Sequence, residues 1–418
     1  MRLRHVAQLN PPVAGLSRAD AGREVSFLPL DRVWADERFD PSRTIEFSGD
    51  LDSYNAVAEG DVLLPKVSPT FSHGRVAIAR GLVGRRALAT SEVFVVRPHD
   101  PRDARFIRYR LMAADFRAEG QAAWAGVAGL KRISAAFVND VGLPNSAWQN
   151  RYEISDSLDR ESARIGELKA LCHRQLDDLS TYFASRHDTI MWAGRPVPLK
   201  TLLTHACVGI VVQPAQMYDE DGEVDCFRPV NVAHGTLIRE GLVRISKASH
   251  RANSRSELRT GDVVVVRSGK AGSAAVVPDW ASGGNCVDLL ILRPSELYRP
   301  RYLVEVLSSS RVREELERTS VGTVQGHMNL SAIRRLVTPT LNLDRQDEVI
   351  REVDHLRAET SGMADELRQV RSLLREYRDA LITEAVTGKL DVTRLSEQQL
   401  DESAHAASEG ERPEVLSA

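Results

Sequence analysis

The chain has 418 residues, more than one hydrophobic core usually organises, so two or three domains are expected. Apolar residues make up 42 % and charged residues 27 % of it, and no apolar run approaches the roughly 18 residues of a membrane span. The net charge of −3 excludes a uniformly basic protein, and the N-terminus lacks the apolar region of a signal peptide, which favours a cytoplasmic location.

The first predicted module covers residues 1–150 and is rich in strands. In "AEGDVLLPKVSPTFSHGRVAIARG" (58–81) a Gly-Asp turn is followed by an apolar strand, a basic loop and a second apolar strand. The segment "SEVFVVRP" (91–98) predicts a further strand, and "ARFIRYRLMAADFR" (104–117) an amphipathic helix. A helix predicted at 151–188 follows this module.

The second predicted module, residues 189–344, repeats the first. "RTGDVVVVRSGKAGSAAVVPDW" (259–280) has the same turn, strand, loop and strand, so that Gly60-Asp61 corresponds to Gly261-Asp262. "DLLILRP" (288–294) and "PRYLVEVLSSSRVR" (300–313) then match the later strand and helix of the first module. A constant separation of about 200 residues indicates a duplicated domain, because the units of a solenoid are far shorter.

The second predicted long helix, residues 345–390, carries an apolar residue at alternating steps of three and four. This period of 3.5 residues predicts a seam between two helices, because the apolar positions of a helix packed on a globular core repeat about every 3.6 residues. Its positions are Val349, Val353, Leu356, Thr360, Met363, Leu367, Val370, Leu374, Tyr377 and Leu381. A weaker seam in the first helix runs through Ile154, Leu158, Glu161, Ile165, Leu168, Cys172, Gln175, Leu179 and Tyr182.

These patterns predict an α+β protein with two similar β-rich domains separated by a long antiparallel two-helix coiled coil, a dumbbell with a pseudo-twofold axis. Gly388 is expected to end the second helix. Residues 391–418 form an acidic tail with little apolar content, and we expect it to be disordered.

Basic and polar residues recur in corresponding loops of both modules. Arg and Lys mixed with Ser, Thr and Gln both contact phosphates and read base edges, and two similar heads suit the separated half-sites of duplex DNA. The candidate DNA contacts are Lys66, Ser68, Thr70, Arg75, Arg80, Arg85, Arg86, Lys131 and Arg132 in the first module, and Arg251, Arg255, Arg267, Ser268, Lys270, Gln325 and His327 in the second.

Four stretches carry a resemblance to a known family. They are "EVSFLPLDRV" (24–33), "SDSLDRESARIGEL" (155–168), "CFRPVNVAHGTL" (226–237) and the most specific, "LREYRDALITEAVTGKLDV" (374–392). Together they resemble the specificity subunits of type I restriction-modification systems, over nearly the whole chain up to about residue 392.

The resemblance implies a non-catalytic subunit that reads a bipartite double-stranded DNA target with two target recognition domains. It also implies two modification (methyltransferase) subunits docked on the helices, and a role in DNA methylation and defence against foreign DNA. Whether restriction subunits join the complex is left open. No cofactor is expected in this chain, since S-adenosylmethionine would be bound by the methyltransferase. The predicted docking patch consists of Tyr377, Arg378, Leu381, Ile382, Val386 and Lys389.

The sequence departs from the family pattern at the end of the first helix. There the chain reads "LCHRQLDDLSTYFASRHDTIMWAGR", without the "YRDALITEAVTGK" phrase of the second helix. Whether two docking patches are equivalent is therefore left open.

Enzymatic readings find little support. Asn10-Pro11-Pro12-Val13 is similar to the loop of amino-methyltransferases but lacks its aromatic residue and a preceding nucleotide-binding fold. The acidic run Asp219–Glu223 lacks the spacing of a calcium loop and is expected to be a turn. Cys172, Cys207, Cys226 and Cys286 form no CxxC pair, which predicts buried thiols and neither a metal site nor a disulfide framework. The alternative to DNA recognition is a two-headed scaffold that binds proteins.

Overall fold

A computed structural model gives the structure of residues 1–11, 20–32, 39–48, 54–124, 131–211, 214–233, 235–267, 272–320 and 329–391. The chain divides into two compact units. The first unit contains Met1–His173 and the chain from Arg368 onward, and the second contains Arg174–Leu367. Within the described ranges, no helix combines the length and the apolar character that crossing a membrane requires.

The first half of the chain contributes eight described strands and five helices. The strands are β1 (Ala7–Leu9), β2 (Glu24–Leu28), β3 (Thr44–Glu46), β4 (Tyr54–Ala58), β5 (Val62–Pro65), β6 (Ala77–Ile78), β7 (Arg86–Thr90) and β8 (Val93–Pro98). The helices are α1 (Ala104–Met112), α2 (Ala114–Ala122), α3 (Ala135–Asn139), α4 (Asn145–Gln149) and the long α5 (Arg151–Met191).

The second half repeats this order with additions. Its strands are β9 (Arg195–Pro198), β10 (Leu203–Val208), β11 (Val224–Phe227), β12 (Val232–Ala233), β13 (Thr236–Leu237), β14 (Val243–Ile245), β15 (Val263–Val266), β16 (Ala274–Val276), β17 (Asn285–Cys286), β18 (Leu289–Pro294) and β19 (Val337–Thr340). Its helices are α6 (Lys247–Ala252), α7 (Pro300–Ser308), α8 (Ser310–Ser320), α9 (Leu330–Arg335) and the long α10 (Leu343–Val386).

The strand order of the sheets confirms the duplication. One sheet has the order β1-β8-β5-β6 in the first unit and β10-β18-β15-β16 in the second, and every pair in both is antiparallel. A second sheet has the order β3-β2-β7-β4 in the first unit and β14-β11-β17 in the second. In it, β2 runs parallel to β7 as β11 does to β17. The predicted α+β class is thus confirmed.

A turn with the same internal contacts begins β5 and β15. Gly60 and Gly261 have φ values of +91° and +83°, a conformation that side chains disfavour. The next residue, Asp61, accepts hydrogen bonds from Arg97 of β8 through Nε at 2.8 Å and Nη2 at 2.6 Å. In the second unit Asp262 accepts the same two bonds from Arg293 at 2.7 and 2.8 Å. The Gly-Asp and Arg-Pro pairs that marked the repeat in the sequence are therefore in contact in each unit.

Each unit contains the start of one long helix and the end of the other. In the first unit, Ile154 and Leu158 of α5 lie in one core with Leu381, Ile382 and Val386 of α10. In the second unit, the other two ends share a core: Met191 of α5, and Val349 and Val353 of α10. The helices therefore run in opposite directions, as predicted.

The seam of α10 is buried near its ends and exposed between them. Val349 and Val353 are fully buried and Thr360 is 7 % exposed, whereas Met363 and Tyr377 are 47 % and 50 % exposed. The domain cores supply packing partners at the ends, and the apolar stripe remains accessible elsewhere.

The ends of the long helices cap equivalent short helices. The Thr383 hydroxyl of α10 accepts a hydrogen bond at 2.9 Å from the backbone N–H of Ala114, the first residue of α2. In the second unit, the Asp188 carboxylate of α5 accepts one at 2.9 Å from Ser310, the first residue of α8. The helix ends differ in sequence but have the same position in the fold. Gly388, with φ +73°, follows the end of α10 as predicted.

The second unit encloses a charged cluster between α7 and both long helices. Glu305 of α7 is fully buried; Arg357 of α10 lies 2.6 Å from it, Arg301 3.0 Å and His187 of α5 3.2 Å. Burial raises the pKa of Glu305, but the hydrogen bond with His187 and the charge and hydrogen bond of Arg357 outweigh burial and lower the pKa to about 2. The carboxylate is therefore ionised in the folded protein at neutral pH.

Candidate nucleic-acid interface

Two loops that the sequence identified separately meet in the first unit. The N–H of Ser68 donates to the carbonyl of Lys131 at 3.0 Å, and the N–H of Ile133 donates to the carbonyl of Lys66 at 3.1 Å. The backbone pairing places Lys66, Lys131 and Arg132 together at the end of β5. Lys131 is exposed, with its ammonium 5.3 Å from the ring centroid of Trp124.

One carboxylate compensates part of this positive charge. Arg132 donates to both oxygens of Glu92 at 3.0 Å. The hydrogen bond from Arg132, assisted by the charge of Lys66, lowers the pKa of Glu92. The guanidinium is therefore oriented by Glu92, while Lys131 keeps an exposed charge.

Thr70 lies beneath the loop. Its side chain is buried, and its hydroxyl donates to the carbonyl of Val67 at 2.7 Å, so it stabilises the turn and is not exposed to a ligand. The loop rests on Phe71, which packs edge-on against Phe116 with ring centroids 5.5 Å apart. His73 is exposed and Arg75 is half-buried.

Arg117 supports the loop and was not identified from the sequence. It donates to the carbonyl of Ser72 at 3.1 Å and to Asp379 of α10 at 2.8 Å. It thereby connects the candidate DNA loop to the end of the second long helix. No sequence pattern revealed this role, because its partners lie 45 and 262 residues away.

The remaining candidates of the first unit lie at the other end of the sheet. The N–H of Gly60, before β5, donates to the carbonyl of Ala79 at 2.8 Å, which places Arg80 beside the start of that strand. Arg85 is exposed, and half-buried Arg86 has a nitrogen 3.9 Å from Asp20. The strand separates these arginines from Lys66, Lys131 and Arg132.

Arg251 and Arg255 of the second unit are exposed on a well-anchored segment. Buried Asn285 lies under it and accepts a hydrogen bond from the Ser256 hydroxyl at 2.7 Å. Asn285 also donates to the carbonyl of Asn253 at 3.1 Å. The arginines therefore project from the end of α6 and the turn that follows it, which β17 holds in place.

Arg267 occupies the position that corresponds to Lys66. Its side chain is only 19 % exposed and lies 3.5 Å from Asp288, which corresponds to Glu92. Arg267 thus pairs with this acid directly, whereas in the first unit Glu92 pairs with Arg132 and Lys66 donates only its backbone N–H to the carbonyl of Glu92. The other candidates of this module, Ser268, Lys270, Gln325 and His327, lie outside the described residues.

The predicted docking patch divides into buried and exposed parts. Leu381, Ile382 and Val386 are at most 5 % exposed and belong to the core of the first unit, so they are not available to a partner. The Arg378 side chain is 13 % exposed. Tyr377 and Lys389 are exposed. The accessible part of the patch is thus smaller than the sequence indicated.

Residues weighed for enzymatic roles have structural ones. Asn10 donates from its N–H to the carbonyl of Val95 at 2.7 Å and accepts from the N–H of Val95 at 2.9 Å, which ends the pairing of β1 with β8. The N–H of Gly222 donates to the carbonyl of Asp219, as expected for a turn. All four cysteines are free thiols, and burial raises the pKa of Cys226 to about 12, so that this thiol remains protonated.

The fold defines a class of protein in which a β-rich module recurs and each copy packs against segments of two long helices. No protein-family model matches the chain. A solved structure that concerns complex assembly and conformational transition of the type I R-M system has a TM-score of 0.70 with this chain. The sequence identity is 14 %, and the alignment covers 93 % of this chain and 97 % of that chain. The HsdS subunit from Thermoanaerobacter tengcongensis has a TM-score of 0.50 at 14 % identity, covering 93 % and 96 %. These likenesses establish the fold.

Sequence comparison finds relatives with the same description. The chain is 26 % identical over 193 residues to the type I restriction enzyme EcoAI specificity subunit of Escherichia coli, covering 45 % of this chain and 31 % of that protein. It is 23 % identical over 206 residues to the StySPI specificity subunit of Salmonella potsdam, covering 48 % and 43 %. The chain is thus a homologue of type I restriction specificity subunits. The match spans less than half the length of these relatives.

Proposed function

We propose that the chain is the DNA-recognition subunit of a type I restriction-modification complex and has no catalytic activity of its own. Each β-rich module reads one half of a bipartite double-stranded target. Two modification subunits dock on the long helices and methylate the DNA with S-adenosylmethionine that they bind themselves, and restriction subunits join the same complex.

The observation that carries this proposal is the recurrence of one module in two units, in a homologue of specificity subunits. The order of the four-stranded antiparallel sheet and the Asp–Arg pair are the same in both copies, whereas the sequences of the loops beyond them differ. Similar frameworks with different loops suit a protein that reads two different half-sites of one duplex.

The exposed cations of both units support contact with a duplex. Phosphate oxygens accept most protein–DNA hydrogen bonds, and Lys and Arg supply most of the affinity by releasing counterions. The exposed candidates are Arg80, Arg85, Lys131, Arg251 and Arg255. Paired and half-buried Arg132 and Arg267 are better suited to holding loops in shape.

The proposal is tested by methylome sequencing of a host with and without this chain. The modification subunit is present in both hosts. We expect a methylated bipartite motif that appears only with the chain. A methylome that does not change would contradict DNA recognition, and a continuous motif would contradict the division of the target between two modules.

A protein-binding scaffold is the second candidate function. The exposed Leu373 and Tyr377, 54 % and 50 % accessible, are the kind of residues that protein interfaces bury. Salt separates the two functions, because affinity for DNA falls steeply with salt while an apolar protein interface changes little.

A further inference from the structure

The C-terminal half of α10 holds a concentration of arginines. Between Arg368 and Arg378 there are four arginines and one glutamate; the other two arginines are Arg371 and Arg375. Like charges three or four residues apart on a helix repel each other, so the helix gains no stability from this arrangement. The corresponding stretch of α5, residues 172–182, has one arginine and two aspartates. The cluster is therefore not a requirement of the fold.

These arginines line a cleft in the first unit together with a lysine of α5. The cleft has a volume of about 280 Å³, and its lining residues are Lys169, Arg368, Arg371, Ser372 and Arg375. Every lining residue is polar and four are cationic. The Ser372 hydroxyl lies 3.2 Å from Glu376, the single glutamate of the stretch.

Two of the arginines have no acidic partner among the described residues. In the part of the chain that the structure describes, no carboxylate lies within ion-pair distance of Arg371 or Arg375. By contrast, Arg345 on the same helix lies 2.8 Å from Glu348 and 2.9 Å from Glu352. The cleft therefore combines uncompensated positive charge with space for an anion.

The exposed apolar residues of this stretch lie on another face of the helix. Val370, Leu373 and Tyr377 are exposed, and at 3.6 residues per turn they point roughly 150° away from the direction midway between Arg371 and Arg375. A protein interface needs an apolar centre, which this cleft lacks. Guanidinium groups bind phosphate oxygens through two parallel hydrogen bonds.

We propose that this cleft binds a backbone phosphate of duplex DNA, as a contact independent of base sequence and separate from the recognition loops. The inference rests on the proposed function, because it assumes that the chain meets DNA. It assigns to the second long helix a direct contact with the duplex through Arg371 and Arg375.

The test is the salt dependence of binding by the full chain to a random-sequence duplex. In the variant Arg371→Gln with Arg375→Gln, the slope of log affinity against log salt should become shallower by about 1, since each phosphate contact contributes about 0.9. Gln has a helix propensity close to that of Arg, and circular dichroism should show unchanged helix content. Arg371→Lys with Arg375→Lys retains the charge and should keep the slope.

The matched control is Arg186→Gln with Arg351→Gln, which removes two exposed arginines of the long helices outside the cleft. The control should keep more of the slope than the cleft variant. Equal slopes in the two variants would overturn the proposal. If the cleft variant also loses affinity for a modification subunit, the cleft binds an acidic protein surface and not DNA. Wild-type protein that binds no duplex at low salt would instead overturn the proposed function itself.

Discussion

Glu305 of α7 and Arg357 of α10 form a buried ion pair 2.6 Å long, whereas the first unit has a tyrosine at the position of Glu305. The position of Glu305 in α7 corresponds to Tyr109 in α1, whose hydroxyl donates to Asp159 of α5 at 2.6 Å. Both contacts attach the short helix to a long one. Arg105 of α1 adds ion pairs to Asp156 and Asp159 in the first unit, but only the second unit places a buried carboxylate on the short helix, and that carboxylate makes its attachment dependent on pH.

Lowering the pH should destabilise the second unit through Glu305. Its pKa is about 2 in the folded protein, below its ordinary value of 4.5, so the unfolded chain binds more protons between these values. The stabilisation is complete above pH 4.5 and is lost as the pH falls towards 2. Urea unfolding followed by fluorescence should show a midpoint that falls over this range in wild type, and falls less in Glu305→Gln.

At neutral pH, Glu305→Gln should lower the free energy of unfolding by about 3 kcal/mol, because it leaves Arg357 without its buried partner. Glu348→Gln is the control, since that glutamate pairs with Arg345 at the surface with half of its side chain exposed. Equal stabilities of the two variants would contradict a structural role for the buried pair.

Removal of the repeated Asp–Arg contact should affect both units alike. Asp61→Asn and Asp262→Asn each leave an arginine without its carboxylate, and we expect each to cost about 3 kcal/mol of unfolding free energy. Chemical denaturation measures both. A loss confined to one variant would show that the equivalent pairs do not contribute equally.

Exposed arginines of the second unit should contribute to DNA affinity. Arg251→Gln with Arg255→Gln should lower affinity about 10-fold or more at low salt and make the salt dependence shallower by about 1 to 2. Arg267→Gln, whose residue is paired with Asp288, should change the slope less. Equilibrium binding across a salt series measures the affinity and its salt dependence. A larger change in Arg267→Gln would contradict the assignment of Arg251 and Arg255 as the main DNA contacts of this unit.

The predicted docking patch can be separated into surface and core by two substitutions. Tyr377→Ala should leave stability nearly unchanged and weaken assembly with a modification subunit, because this side chain is half exposed. Leu381→Ala should lower the free energy of unfolding by about 2 to 5 kcal/mol, because it creates a cavity in the core of the first unit. Thermal unfolding measures stability, and co-purification measures assembly. A stable Leu381→Ala variant that fails to assemble would show that Leu381 belongs to the docking surface.

The sequence was least informative about which candidate side chains are accessible. Thr70 and Leu381 have residue types that suit their predicted roles, yet both are buried. Arg117 gave no signal, although it braces the loop that holds Lys66. Exposure depends on packing between segments far apart in the chain, which local patterns do not report.

The sequence by itself determined the duplication, the α+β class and the two long helices. These follow from strand and helix periodicity and from the recurrence of Gly-Asp and Arg-Pro, which are properties of short segments and their order. Only the tertiary structure decided how charge is distributed over the surface. It paired Arg132 with Glu92 and Arg267 with Asp288, and among the described residues it left Arg371 and Arg375 without an acidic partner beside Lys169. Ion pairs form across folded distances of a few ångströms and not along the chain.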